Sequence, residues 1–281
     1  MSFLAAAESD TEPAPLTVGE APARQGWTKY ATAVRNRVVA VLAPAAFAVV
    51  VWWIVGLADH SIVGVISTPT GVLHEITSYA RSGNLATDVV TSLREALLGW
   101  AAAVVAGGAT GLLASRIRVV RYGLVPIVEV MRPISPIAWL GPFVLWFGVD
   151  LFSKAALIFV LCFFTVFVGA FDAGTKVDPS LVDAGRMLGS SRLGIGLGVI
   201  VPASFRTLSN AARFSITAAW GGTVIVEMIG ASSGVGYRLL QFGSVDNASG
   251  VITVMLVVGA VGVVLDTLIG AVLAGPLKQY R

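Results

Sequence analysis

Runs of about twenty residues without a charge alternate along this chain with short polar or basic stretches. The first run is Val38–Ala58, 21 residues. At about 1.5 Å per residue it spans roughly 31 Å, enough for one bilayer crossing. Ala96–Ser115 is the second and is rich in Ala and Gly. Its Gly107, Gly108, Ala109, Thr110 and Gly111 carry the small-residue spacing that lets helices approach closely. A third apolar stretch, Tyr122–Val149, is interrupted by Glu129, Arg132 and Pro126, Pro133, Pro136 and Pro142. Proline removes a backbone donor and kinks helices. Irregular backbone survives at membrane depth only inside protein or beside a water-filled cavity. This stretch is therefore predicted to be a broken span. Ala155–Phe171, Ser204–Ile229 and Gly250–Pro276 complete the series. The pattern predicts an all-α membrane protein with about six transmembrane helices.

Composition agrees. Of 281 residues, 56% are hydrophobic and only 12% charged, where a soluble domain is about a quarter charged. A water-soluble enzyme could not cover its surface with so few charges. The single cysteine, Cys162, sits in an apolar run, where a small buried hydrophobe is expected. Residues 1–23 hold four acids, three prolines and no base. That segment lacks the basic opening of a secretory signal and reads as a disordered tail. The expected organisation is a tail and cytoplasmic lead-in (1–37), a first span (38–58), a periplasmic segment with short amphipathic helices (59–95), a core (96–276) and a cytoplasmic tail (277–281).

Orientation follows from the positive charges. With the N-terminus inside, thirteen of the nineteen Lys and Arg fall in inside loops or tails. Arg81, Arg94, Lys154 and Arg238 fall outside, and Arg132 and Arg213 fall within spans. Both termini are expected in the cytoplasm.

The long inside loop has a structure of its own. Asp178, Pro179 and Ser180 form a turn and helix start. Apolar residues then recur at Leu181, Ala184, Met187 and Leu188, one stripe of a short helix. Gly189 is placed as a left-handed C-cap. A second helix leads to Pro202. The loop reads as an L-shaped knob whose apolar stripe needs a partner.

Charges inside spans are functional candidates by default. Glu129 and Arg132 are i, i+3, a spacing that lets them pair on one face. Arg213 lies within the fifth span, Glu227 near its outer end, and Asp266 in the sixth is expected to face protein. Trp139, Trp146 and Trp220 suit packing or interfacial roles better than a gate. Gly230–Gly234 fits G-x-S-x-G, but that motif needs a strand–turn–helix setting and a histidine base. Both histidines, His60 and His74, lie far upstream. The glycines at 230, 234 and 236 read instead as a flexible outside loop. No G-x-x-x-x-G-K-[ST] is present, and nothing points to a metal or to nucleic acid. A secondary transporter usually shows inverted repeats, and none spans the two halves. A channel lined by Glu129 and Arg132 is the other alternative.

The knob also carries a resemblance. Asp183-Ala184-Gly185, three residues, Gly189, nine residues, then Val199-Ile200-Val201-Pro202 resembles the E-A-A-x3-G-x9-I-x-L-P signature of permease subunits of binding-protein-dependent ABC importers. Asp stands for Glu, Gly for the second Ala, and Val for Ile and Leu. Within that superfamily the chain resembles the nitrate/taurine/aliphatic-sulfonate permeases over about residues 65–275. Arg132-Pro133-Ile134-Ser135-Pro136-Ile137-Ala138-Trp139 with Leu145-Trp146-Phe147-Gly148 and Ser153-Lys154, Ala219-Trp220 with Glu227–Tyr237, and Ser67–Val72 carry the match.

The resemblance implies a type I ABC importer permease fold with a cytoplasmic coupling helix, in the bacterial inner membrane. It implies partners: a second copy of the permease, two ATPase subunits and an extracytoplasmic substrate-binding protein. ATP and Mg would then be bound by the ATPase, and this chain would be neither an enzyme nor a holder of a cofactor. Leu181, Asp183, Ala184, Gly185, Met187, Leu188 and Gly189 would contact the ATPase. Glu129, Arg132, Trp139, Trp146, Trp220 and Glu227 are the pathway candidates, for a small anionic solute.

Overall fold

A computed structural model describes residues 50–53 and 67–277. Residues 50–53 are helical. The rest of the first predicted span, the tail before it, His60 and residues 278–281 lie outside the described residues.

From Ser67 onward the backbone is helical nearly throughout. Helix α1, Pro69–Arg81, starts where Thr68 caps it, its hydroxyl accepting from the Gly71 N–H at 3.3 Å, with Pro69 preset for the first turn. It ends at Arg81, and Gly83, whose φ of 75° places it in the left-handed region, turns the chain into the next helix. Helix α2, Asn84–Arg116, follows at once. Its 33 residues reach about 50 Å, well beyond the run predicted to begin at Ala96. Helices α3, Arg118–Met131, and α4, Pro136–Phe147, are the two halves of the stretch predicted to be broken. The break falls at Arg132–Ser135, around Pro133. Helix α5, Leu151–Thr175, leads to α6, Pro179–Met187, and α7, Arg192–Ile195. A π turn over Gly196–Ile200 joins α7 to α8, Val201–Gly230. Helix α9, Val235–Ser244, bends from α8 by 51°. Helix α10, Ala248–Leu277, closes the described chain.

Among the described residues, α2, α5 and α10 are long and apolar enough to cross a membrane, and α8 with α9 make a fourth crossing if the bent pair is one span. Helices α2, α5 and α10 run one way and α8 the other. This follows from side-chain pairs along their length: Arg116 meets Gly174, Trp100 meets Ala212, Trp220 meets Val258 and Arg213 meets Asp266.

The closest packing is between α2 and α5. On α2, Gly99, Ala103, Gly107 and Gly111 repeat every four residues. On α5, Ile158, Cys162, Val166 and Ala170 do the same. A methyl group added at Gly99 would lie 2.5 Å from the Ala155 carbonyl oxygen, and one at Gly107 would lie 2.9 Å from that of Phe163. The glycines therefore let two backbones touch. In lipid, where neighbouring tails are as apolar as leucine, such close packing is a principal source of association. Trp220 is 3% exposed and donates to the Val258 carbonyl at 2.8 Å, fixing α8 to α10. At the other edge Ser67 is hydrogen-bonded to Ser249, so α1 enters beside the start of α10.

Candidate functional site

Two polar features stand at opposite ends of this bundle. At the end where α5 gives way to α8 is the elbow, α6 and α7. Asp178 caps α6 by accepting from the Ser180 N–H at 2.9 Å. That bond holds the Asp178 carboxyl below its ordinary pKa. Val182 and Gly185 face inward and pack with Val177, Ile195 and Ile200. The opposite face carries Leu181, Ala184, Met187 and Leu188. Met187 and Leu188 are 88% and 86% exposed. Asp183 and Arg186 pair at 2.9 Å on the surface, an exposed contact worth little to stability. Gly189 ends α6 with φ of 73°, in the left-handed region. A methyl at Gly185 would meet Ile195 and Val199 at 3.4 and 3.6 Å, ordinary contact distances. The second helix arrives through the π turn, so Pro202 sits inside a continuous helical run rather than at a junction.

At the other end, where α2 and α5 begin and α8 finishes, is a buried polar cluster. The Glu227 carboxyl is fully buried. It accepts from the Ser92 hydroxyl at 2.6 Å and from the Gly236 N–H at 2.8 Å. Asp88 accepts from Tyr79 at 2.7 Å, the Gly234 N–H at 3.1 Å and Arg238 Nε at 3.0 Å. Burial, then the Asp88 carboxylate, pushes the Tyr79 phenol above its ordinary pKa, so it stays a donor. Lys154 pairs with Glu95 at 2.8 Å. Three carboxyl groups thus share two cations. Glu95 Oε2 has no hydrogen-bond partner among the described residues.

The glycine-rich segment here is the opposite of a flexible loop. Gly234, Val235 and Gly236 are buried. A side chain at Gly234 would overlap the Glu227 carboxyl, and one at Gly236 would overlap the Val224 carbonyl. Glycine is required because the backbone wraps the acid. The G-x-S-x-G match accordingly lies in a turn between two helices, its last glycine donating to Asp88.

The pathway candidates separate. Trp220 and Glu227 are buried among the described residues, 3% and 0% exposed. Glu129 and Arg132 do not form the pair that their spacing allows. Both are exposed, with no ion pair between them, although Arg132 caps α3 in a helical conformation and its N–H still bonds the Val128 carbonyl. Charge pairs among the described spans are instead Lys154–Glu95, between α5 and α2, and Arg213–Asp266, bidentate at 2.8 and 2.6 Å between α8 and α10. Trp146 is 68% exposed on α4. An apolar cavity of about 280 Å³ lies between α4, α5 and α8, walled by Leu140, Leu161, Gly221, Gly222 and Ile225. Among the described residues no cluster of His, Cys, Asp and Glu is set to hold a metal ion.

Sequence reasoning missed Asp88, Ser92 and Glu95. Their i, i+4, i+7 spacing marks one helical face, a signal hidden when the segment is taken as polar lead-in.

Known proteins agree with this architecture. The chain is 30% identical over 207 residues to a probable ABC transporter permease protein of Brucella melitensis, covering 74% of this chain and 84% of that one. It is 28% identical over 246 residues to the putative aliphatic sulfonates transport permease protein SsuC of Bacillus subtilis, covering 88% and 85%. In fold it is similar to a chain of the MetNI methionine ABC transporter in an inward-facing conformation, with a TM-score of 0.63 at 19% identity over 70% of this chain and 98% of that one. The profile of binding-protein-dependent transport system inner membrane components matches residues 98–275. With well over half its length matched, the chain belongs to that family of transport permeases.

Proposed function

We propose that the chain is the membrane half-channel of an ATP-driven importer and that a second copy completes the pathway. A small anionic solute is handed over outside by a substrate-binding protein. ATP and Mg are bound and hydrolysed by a separate subunit, which grips the elbow from the cytoplasm. Both termini are cytoplasmic in this arrangement. The relatedness to an aliphatic sulfonate permease favours an anionic solute.

The observation that carries the reading is the two-faced elbow. Val182 and Gly185 anchor α6 to the bundle, while Leu181, Met187 and Leu188 present an apolar stripe that meets no partner among the described residues. Such a stripe is an interaction surface. Its anchor passes through α7 and the π turn directly into α8, so a push on the stripe reaches a membrane-spanning helix. Glu129, Arg132, Trp139 and Trp146 remain pathway candidates on the α3–α4 side, and Trp220 and Glu227 act as supports.

The test uses Met187→Cys in the assembled transporter. A short cross-linker is expected to join it to the ATP-hydrolysing subunit, and Gly189→Pro, which a φ of 73° forbids, is expected to leave ATP hydrolysis uncoupled from uptake. Full ATP-driven uptake by Gly189→Pro, with no cross-link at Met187→Cys, refutes the assignment.

A further inference from the structure

In the buried polar cluster, Glu227 is the acid without a cation. Asp88 is paired with Arg238 and Glu95 with Lys154, and no Lys or Arg lies within ion-pair distance of Glu227 among the described residues. Its side chain has no exposed surface. The turn at Gly234–Gly236 seals it, since a methyl at Gly234 would overlap the carboxyl and one at Gly236 would stand 2.7 Å from Glu227 Cβ. An ionised carboxylate enclosed in this way, with no counter-charge of its own, is costly.

The hydrogens around it are one short. Ser92 Oγ lies 2.6 Å from Glu227 Oε1 and 3.0 Å from the Asp88 carbonyl oxygen, and it accepts from the Val235 N–H at 2.9 Å. A serine hydroxyl has a single hydrogen, and two acceptors stand within its reach. If the acid carries a hydrogen of its own, it donates to Ser92 and Ser92 donates to the Asp88 carbonyl, so that each contact has one donor. The other carboxyl oxygen still accepts from the Gly236 N–H at 2.8 Å. No spare donor stands by: Lys154 donates to Glu95 Oε1, and the buried Glu95 Oε2 has no donor among the described residues. An enclosed acid that stays neutral in order to donate is an established device in protein sites.

We propose that Glu227 is a proton-binding site, and that its proton, by bonding Ser92, latches the bend between α8 and α9 onto α2. The bonds of the latch converge from three helices: the acid from α8, Ser92 from α2, and the Val235 and Gly236 N–H groups from α9. The titratable side chains bonded into the cluster are Tyr79 of α1, Asp88 and Glu95 of α2, Lys154 of α5 and Arg238 of α9. Helix α4 carries no titratable side chain, and α10 carries Asp266 alone, which Arg213 holds. Loss of the proton charges an acid that has no partner cation. The glycine turn loosens first, because its backbone touches that carboxyl.

Infrared spectroscopy of the full chain in lipid nanodiscs at neutral pH reads the proton directly, as the C=O stretch of a protonated carboxyl. The band is expected in the parent and is lost in Glu227→Gln, whose amide can donate to Ser92 as the acid does. Ser92→Ala leaves the acid in place and is expected to shift the band to higher frequency, so the proposal stays open to refutation even where Glu227→Gln fails to fold. A nitroxide at Leu240→Cys, on the exposed side of α9, reads the latch. Its mobility is expected to rise as alkaline titration removes the band, and to stay constant over the same range in Glu227→Gln. No band in the parent, a band that survives Glu227→Gln, or one that ignores Ser92→Ala overturns the proton site. A label that stays still while the band is lost overturns the latch.

Discussion

Glycine at position 99 is required by the α2–α5 contact, and Gly108 on the same helix is not. A methyl at Gly99 would stand 2.5 Å from the Ala155 carbonyl oxygen and 2.7 Å from Ile158 Cβ. Ordinary contact begins at 3.4 Å, so the helices must separate by about 0.9 Å there. At Gly108 the nearest atom is Leu208 Cδ1 at 3.6 Å, already a comfortable distance. Both substitutions to alanine gain about 1 kcal/mol of helix propensity, which cancels in the comparison. Overpacking at position 99 costs roughly 1–3 kcal/mol. Gly108→Ala should therefore be more stable than Gly99→Ala by about 1–3 kcal/mol, and slightly more stable than the parent. Reversible unfolding of the purified chain by SDS in mixed micelles, followed by circular dichroism, measures the difference. Equal stability of the two variants, or a more stable Gly99→Ala, would refute the claim that backbone contact at the glycine stripe holds α2 to α5.

Lys154→Met leaves Glu95 buried without its cation, and loss of roughly 3–5 kcal/mol is expected in the same assay. The double variant Lys154→Met/Glu95→Leu should recover most of it, whereas a double variant as unstable as the single would show that the pair itself stabilises. The Asp178 cap has a definite sign with pH. Its folded-state pKa is depressed by the Ser180 N–H, so its stabilisation is complete above the ordinary carboxylate range and is lost as pH falls through the depressed value. A spin label at Leu188→Cys should grow more mobile across that acid window, and Asp178→Asn should remove the transition. Mobility that ignores pH counts against the cap.

The elbow was legible because its information is local: an Asx cap, a stripe at helical spacing and a terminal glycine all sit within twelve residues, Asp178–Gly189. The small-residue stripe of α2 and the break near Pro133 were legible for the same reason. The polar cluster was not. A search for charge-free runs stops at Glu95, so it cuts α2 short of Asn84 and assigns Lys154 to an outside loop. What makes that acid tolerable is a cation 59 positions away, and sequence spacing carries no trace of it. Gly234 and Gly236 misled in the opposite direction. Glycine marks either freedom or the close approach of another group, and only the position of Glu227 decides between them. Glu129 and Arg132 had the right spacing for a pair, but both side chains are exposed and stand apart, and spacing alone does not bring two solvated charges together.

The π turn at Gly196–Ile200 has a bearing on how the elbow is aimed. Each residue of an α-helix turns the chain by about 100°, and a π turn accommodates one residue more than the regular winding would. Rewinding the same five residues as regular α-helix, with none removed, would swing Met187 and Leu188 by about a quarter-turn around the axis of α8, whereas removing one residue would leave their bearing nearly unchanged. A motor protein meeting that redirected handle would find its socket empty, although every residue of the handle were still present.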